Sequence, residues 1–191
     1  DYWLCTASVA LAAPAVLLFS PVIVSLGQQR GLSEGAAHLC VAVGSLGSAA
    51  GRLLMPLASD RFGRRRTDIL LLWGLCGLSA AFAFARGGWV VACYSALTFC
   101  YSGEAALLPA LCTDRFGLPH AGVNYGFLAL GMSAGSLGFP WLARLWGLED
   151  GRHWLAAGAA ALGALCLTAL PETLPQPGRP AAKKAEGPGR R

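Results

Sequence analysis

Two charged side chains lie inside otherwise apolar stretches of the sequence, and they are the first candidates for chemistry. Arg52 lies within residues 36–58 and Glu104 within residues 89–112, where no other Asp, Glu, Lys or Arg occurs. A charge at the centre of a bilayer costs about 2.5–3.5 kcal/mol and usually faces a cavity or a partner. A guanidinium suits a carboxylate because it stays charged and can donate two parallel hydrogen bonds. Arg52 is therefore predicted to pair with a carboxylate, and snorkelling of its side chain to the membrane surface is the alternative.

Helix geometry places the two charges at similar depth, so they can pair with each other. Arg52 lies eight residues before Asp60, and Glu104 lies ten residues before Asp114. At 1.5 Å per residue these separations are about 12 Å and about 15 Å. A carboxyl buried among apolar groups takes up a proton more readily than one in water. Glu104 is therefore predicted to be a proton-coupling residue, which binds and releases a proton. The alternative is a structural hydrogen bond to a neighbouring helix.

Helices that span a membrane must hold these charges. The 191 residues are 55% hydrophobic and 13% charged, with a mean hydropathy of +0.52, whereas soluble domains have about 25% charged residues. This composition excludes disordered chains, coiled coils and most cytosolic enzymes. Six apolar blocks match the thickness of a bilayer and lack the alternation of a β-barrel. They are residues 2–26, 36–58, 69–85, 89–112, 121–143 and 154–170.

The six blocks predict an all-α membrane protein with six transmembrane helices in residues 1–171 and a disordered basic tail in residues 172–191. Six spans place both termini on one side, which collects ten Lys and Arg residues against four on the other. By the positive-inside rule, both termini are cytoplasmic. Topology thus accounts for the net charge of +5, and no nucleic-acid partner is expected. Lipids surround the helices, and the basic tail is either solvated or in contact with anionic lipid.

A charged turn joins the second and third blocks and reads SDRFGRRR over residues 59–66. Gly63 permits a backbone conformation that a Cβ opposes. Arg64 and Arg65 can pair with acids at adjacent helix ends, and Asp114 ends the fourth block on the same side. These charges predict a cytoplasmic latch that holds one conformation and releases it in another. The cytoplasmic latch consists of Gly51, Asp60, Arg61, Gly63, Arg64, Arg65 and Asp114.

The turn resembles the D-R-x-G-R-R loop signature of the major facilitator superfamily, which lies between the second and third helices of a six-helix half. Residues 21–33 and Gly51-Arg52 resemble the second half of monocarboxylate transporters, and residues 109–117 and 122–126 resemble the related oxalate/formate antiporter branch. The resemblance implies the C-terminal six-helix half of a twelve-helix transporter, with an N-terminal six-helix half as its missing partner. A first residue other than Met agrees with this expectation.

The resemblance also implies a function. It implies secondary active or facilitated transport of a small organic anion, best matched by a monocarboxylate, through alternating access by symport or antiport. In these families the arginine at the position of Arg52 binds the substrate carboxylate, so Arg52 is assigned that role. Tyr101, Asn124 and Tyr125 are further candidates for hydrogen bonds to the substrate, and packing or interfacial roles are the alternative.

Two departures from these relatives leave other functions open. Residues 121–143 lack the cation that oxalate carriers have there, and Ser48 stands where monocarboxylate carriers often have Asp. The alternatives are a carrier of a different solute, such as a sugar, drug or amine, and a truncated half that only binds a partner. No enzyme, metal site or cofactor is expected, because the sequence has no nucleophile–base pair, metal-ligand spacing or phosphate loop. We expect a multi-pass protein of the plasma membrane rather than of an organelle.

Overall fold

The protein is described by a computed structural model over residues 2–148 and 151–170. Within these residues the chain forms eight α-helices, a short 3-10 turn at Ser20–Val22 and no strand, so the predicted all-α class is confirmed. The predicted tail at residues 172–191 lies outside the described residues. The helices are α1 (Tyr2–Ala12), α2 (Pro14–Leu17), α3 (Ile23–Gln29), α4 (Glu34–Phe62), α5 (Arg64–Phe82), α6 (Gly88–Phe116), α7 (Ala121–Leu145) and α8 (Arg152–Thr168).

Four segments are long and apolar enough to cross a membrane. They are Tyr2–Gln29, Glu34–Phe62, Gly88–Phe116 and Ala121–Leu145. The third and sixth predicted spans correspond to α5, whose first turn carries three arginines, and to α8, which has 17 residues. Six spans therefore stay a prediction, although each predicted block coincides with helical structure.

The first block is helical but not continuous, since it consists of α1, α2, the 3-10 turn and α3. Pro14 begins α2 directly after α1 ends at Ala12, and Pro21 lies in the 3-10 turn. Proline lacks the N–H that a helix needs and its ring clashes with the preceding turn. The two prolines therefore divide one apolar stretch into three short helices.

Glycine lets α4 pack directly on α6, which contacts α4, α5 and α7. A Cβ at Gly44 would collide with the ring of Tyr94, and a Cβ at Gly51 would collide with the carbonyl of Phe99. Only hydrogen at these positions allows the two backbones to come this close. Positions of the same kind on α7, facing α1, are Gly131 and Gly135.

The turn between α4 and α5 consists of a single residue outside the helices, Gly63. Its φ of +91° lies in the region that side chains oppose, and its N–H donates to the Ser59 carbonyl at 2.9 Å. Because the turn is this short, Arg64 stands in the first turn of α5 directly beside the end of α4. The charged residues of the turn are thereby brought next to the end of α6.

Candidate functional site

Arg64 ties three helices together at the end of the bundle that holds the charged turn. Its Nη1 donates to Oδ2 of Asp114 at 2.8 Å and to the Ala110 carbonyl at 3.2 Å, both on α6. Its Nη2 donates to Oδ1 of Asp60, the last acid of α4, at 3.4 Å. The Asp114 side chain is 29% exposed and that of Asp60 is 63% exposed. The bond to Asp114 is thus shorter and better shielded from water than the bond to Asp60.

Arg65 extends the same end of the bundle to α8. Its Nε and Nη2 donate to the carbonyls of Leu167 and Thr168 at 3.2 Å and 2.9 Å. The last carbonyls of a helix lack partners within the helix and carry partial negative charge, which a guanidinium compensates. Arg61 is exposed on the last turn of α4. Asp60 of α4, Arg64 of α5 and Asp114 of α6 therefore lie together, and Arg65 adds α8 to the group. Gly51 lies apart from them, against Phe99 of α6.

Arg52 is exposed on α4, directly after Gly51, which is buried against α6. Gly51 faces α6, and a Cβ there would lie against the Phe99 carbonyl and near the Gly103 nitrogen. Successive residues of a helix are turned by about 100°, so Arg52 points away from this contact, alongside exposed Leu53. The guanidinium therefore stands on the exposed face of α4, away from α6.

Glu104 lies at the same level as Arg52 but inside the bundle, with 1% of its surface exposed. Neither ion pair found among the described residues includes these two side chains. Tyr101 of α6 lies within electrostatic reach of both charges. Beside them the hydroxyl oxygens of Ser48 and Ser102 are 2.6 Å apart. The structure thus gathers Arg52, Glu104 and Tyr101 in one region, with Arg52 outside and Glu104 inside.

Asn124 and Tyr125 lie at a different level, in the first turn of α7. The Asn124 carbonyl accepts a hydrogen bond from the Tyr2 hydroxyl at 3.0 Å, and the Tyr2 ring packs on Phe116 with centroids 5.2 Å apart. Phe116 follows Glu104 by twelve residues, or about 18 Å along α6. Tyr125 packs against the core. The structure therefore does not bring Asn124 and Tyr125 to the region of Glu104.

Sequence reasoning missed Asp68, a second buried carboxyl, on α5, which packs against the α6 helix of Glu104. Asp68 directly precedes the third apolar block in the sequence, but it lies in the second turn of α5 and is 1% exposed. Its charge is close enough to act on that of Glu104. The sequence could have indicated this burial, because a helix that begins directly after Gly63 includes Asp68 and extends into the bundle.

A second missed cluster lies at the opposite end of the bundle, around Arg30. Its guanidinium donates to the carbonyls of Phe82 and Ala85 at the end of α5, the second at 3.3 Å. It also donates to Nε2 of His153 at 2.9 Å, and its carbon lies 4.9 Å from the centre of the Phe82 ring. Arg30 thus fastens the loop before α4 to the end of α5 and the start of α8. Its sequence position showed only a basic residue in a loop.

Comparison with known proteins gives the family. The sequence model described as Major Facilitator Superfamily matches residues 3–190. The chain is also 28% identical over 123 residues to the uncharacterized MFS-type transporter YhjX of Escherichia coli (strain K12). That match covers 59% of this chain and 30% of YhjX, so it spans less than a third of that protein's length. These matches, together with the apolar helices, indicate a multi-pass membrane protein of a transporter family. The chain belongs to the Major Facilitator Superfamily.

Proposed function

We propose that the chain forms one six-helix half of a secondary transporter that moves a small organic anion, in particular a monocarboxylate, by alternating access. The observation that carries the proposal is the placement of Arg52. A permanently charged guanidinium stands on the exposed face of an apolar helix bundle, with Tyr101 in electrostatic reach. In lipid this charge would cost about 2.5–3.5 kcal/mol. In a pathway between two halves it would meet water and an anionic solute.

The cytoplasmic latch supplies the proposed gate. Arg64 joins the ends of α4, α5 and α6 through Asp60 and Asp114. Separation of the α6 end from the turn breaks the bond to Asp114, so this bond favours the conformation in which that end is closed. We place this end, and with it both termini, on the cytoplasmic side of the plasma membrane, because most of the basic residues belong to it.

Protons are the proposed coupling ion, and Glu104 is the proposed coupling residue. Its burial beside Tyr101 supports this role, since Tyr101 also lies in electrostatic reach of Arg52. A change of charge at Glu104 would thereby act on the region where the anion binds. The remaining partners are an N-terminal six-helix half, which would cover the face that carries Arg52, and membrane lipids.

The test is uptake of labelled lactate or pyruvate into vesicles that contain the full-length protein. Arg52→Ala is expected to lower uptake about 10- to 100-fold, because a hydrogen bond to a charged group contributes about 1.5–3 kcal/mol. Arg52→Lys keeps the charge but loses the second donor, so it should raise KM with a smaller loss. Arg86→Ala removes an exposed arginine from the loop after α5 and serves as the matched control. Normal uptake by Arg52→Ala at equal membrane abundance rejects the proposed role.

Transport of a different solute is the second candidate, and the hydroxyl pair beside the site favours it. Ser48 and Ser102 lie 2.6 Å apart and offer hydroxyl groups to a polar, uncharged solute such as a sugar. Competition separates the two candidates. Lactate, pyruvate, oxalate or formate should reduce uptake of an anion by occupying Arg52, whereas they should leave uptake of a sugar unchanged.

A further inference from the structure

Two carboxyl groups from neighbouring helices are buried together inside the bundle. Asp68 of α5 and Glu104 of α6 are each 1% exposed. Both lie between two contacts that join these helices, one from Arg64 to the Ala110 carbonyl and one between Gly74 and the Cys100 sulfur. Their charges also interact. Oδ1 of Asp68 and Oε1 of Glu104 have no hydrogen-bond partner among the described residues. Neither of the ion pairs in this part of the chain includes them. The pair therefore has two buried polar atoms that a ligand would satisfy.

Two negative charges are not stable in this position. Burial of one unpaired carboxylate already costs several kcal/mol, and a like charge beside it adds repulsion. Neighbouring carboxyl groups in proteins solve this by retaining a proton between them. A neutral carboxyl also becomes a donor, so one added hydrogen satisfies an acceptor on the other group.

We propose that Asp68 and Glu104 hold one proton in common, directly or through one water, as a single cation site between α5 and α6. Asp68 is thereby the second half of the site for which Glu104 was a candidate. Its part in transport rests on the proposed function, but the proton site itself does not.

The surroundings favour a proton over a metal cation. Hard metal ions take about six or more oxygen ligands. Among the described residues, no group of three or more His, Cys, Asp or Glu side chains could hold a metal ion. Two carboxyl groups inside a bundle of apolar helices match the smaller demand of a single proton.

The other titratable groups near the pair are few. From α1, the thiol of Cys5 lies in electrostatic reach of Asp68, and it also lies in reach of Cys112 and Arg115 of α6. From α6, Tyr101 lies in reach of Glu104, and it connects the pair with Arg52 of α4. The described part of α2 consists of apolar residues, and α8 carries only Cys166 as a titratable group beyond its first two residues.

Infrared spectroscopy of the full-length protein, without any solute, tests the site directly. The wild-type protein at neutral pH should show the C=O stretch of a protonated carboxyl, and alkaline titration should remove it. Asp68→Asn and Glu104→Gln should each change this band, and the double variant should lose it. Glu34→Gln removes an exposed acid from the first turn of α4 and should leave the band as in the wild type. A neutral-pH spectrum without a protonated carboxyl in the wild type overturns the proposal.

Thermal unfolding at a series of pH values gives a second readout that needs no band assignment. The folded protein keeps a proton that the unfolded chain releases above about pH 5, so stability should fall as the pH rises above that value. Asp68→Asn and Glu104→Gln should each reduce this slope, and the double variant should lose it. A slope unchanged in both single variants, or a melting temperature raised by Na⁺ at fixed pH, contradicts a shared proton. Loss of uptake in Arg52→Ala has no bearing on these results, so the two proposals fail separately.

Discussion

The bond between Arg64 and Asp114 should dominate the stability of the cytoplasmic latch. The two atoms lie 2.8 Å apart, and the side chains are 23% and 29% exposed. A hydrogen bond between charged groups contributes about 1.5–3 kcal/mol when shielded from water. Partial exposure lowers this to about 1–2 kcal/mol. The bond between Arg64 and Asp60 is longer, at 3.4 Å, and joins residues four apart on a surface where Asp60 is 63% exposed. Such pairs contribute about 0.3–0.5 kcal/mol.

Two double-mutant cycles measure these couplings. Arg64→Gln is combined with Asp114→Asn in one cycle and with Asp60→Asn in the other, and the free energy of unfolding is measured for each protein in detergent micelles. The cycle cancels effects of each substitution that do not depend on the pair. We expect about 1–2 kcal/mol for Asp114, which corresponds to a roughly 5- to 30-fold change in an equilibrium between closed and open ends. We expect less than about 0.5 kcal/mol for Asp60.

Salt provides an internal check on the same pairs. Added salt screens exposed charges more than shielded ones, so the small coupling to Asp60 should vanish at about 1 M salt while most of the coupling to Asp114 remains. If the coupling energy between Arg64 and Asp60 equals or exceeds that between Arg64 and Asp114, distance and exposure do not predict the relative strength of these bonds. A coupling to Asp114 below about 0.5 kcal/mol would remove the energetic basis of the latch.

Two further substitutions test how the helices are joined. Gly51→Ala should lower the melting temperature and weaken the α4–α6 contact by about 2 kcal/mol or more, because the new Cβ meets the rigid Phe99 carbonyl. Gly122→Ala is the control, because a Cβ there meets open space. Equal losses of stability in the two variants would contradict close packing at Gly51. Arg30→Gln should lower the free energy of unfolding by about 1–3 kcal/mol, since it removes donors to the end of α5 and the start of α8. Arg86→Gln is the control. If Arg30→Gln lowers the free energy of unfolding no more than Arg86→Gln does, these contacts do not stabilise the protein.

The sequence was sufficient to predict the helices and the charged turn because local features determine both. Each apolar block exceeds the length of an ordinary loop. In lipid, its backbone N–H and C=O groups must form hydrogen bonds within the protein, and a helix provides these bonds. The turn at Gly63 needs a positive φ, and glycine is the residue that adopts it without strain. The division of the first block at Pro14 and Pro21 was not predicted, because hydropathy does not register a missing N–H.

The position of polar side chains inside the bundle was not predictable in the same way. Arg52 and Glu104 lie at similar depth, as their spacing to Asp60 and Asp114 indicates. Whether each faces inward depends on helix rotation, which the contact between Gly51 and α6 determines. Asp68 differs from an exposed loop acid only because α5 begins directly after the turn and α6 covers it. The sequence of one helix gives the depth of a residue along that helix, whereas the burial of its side chain depends on the helices packed around it.

The three charges define two separate environments with one side chain between them. Arg52 is exposed on α4, whereas Asp68 and Glu104 are buried inside the bundle. Tyr101 is half-buried and lies in electrostatic reach of both Arg52 and Glu104. A proton that leaves the inner pair increases its negative charge, which strengthens the attraction on Arg52 and weakens its hold on an anion. Under the proposed function, proton and anion are therefore bound together and released together, which is the relation that symport requires.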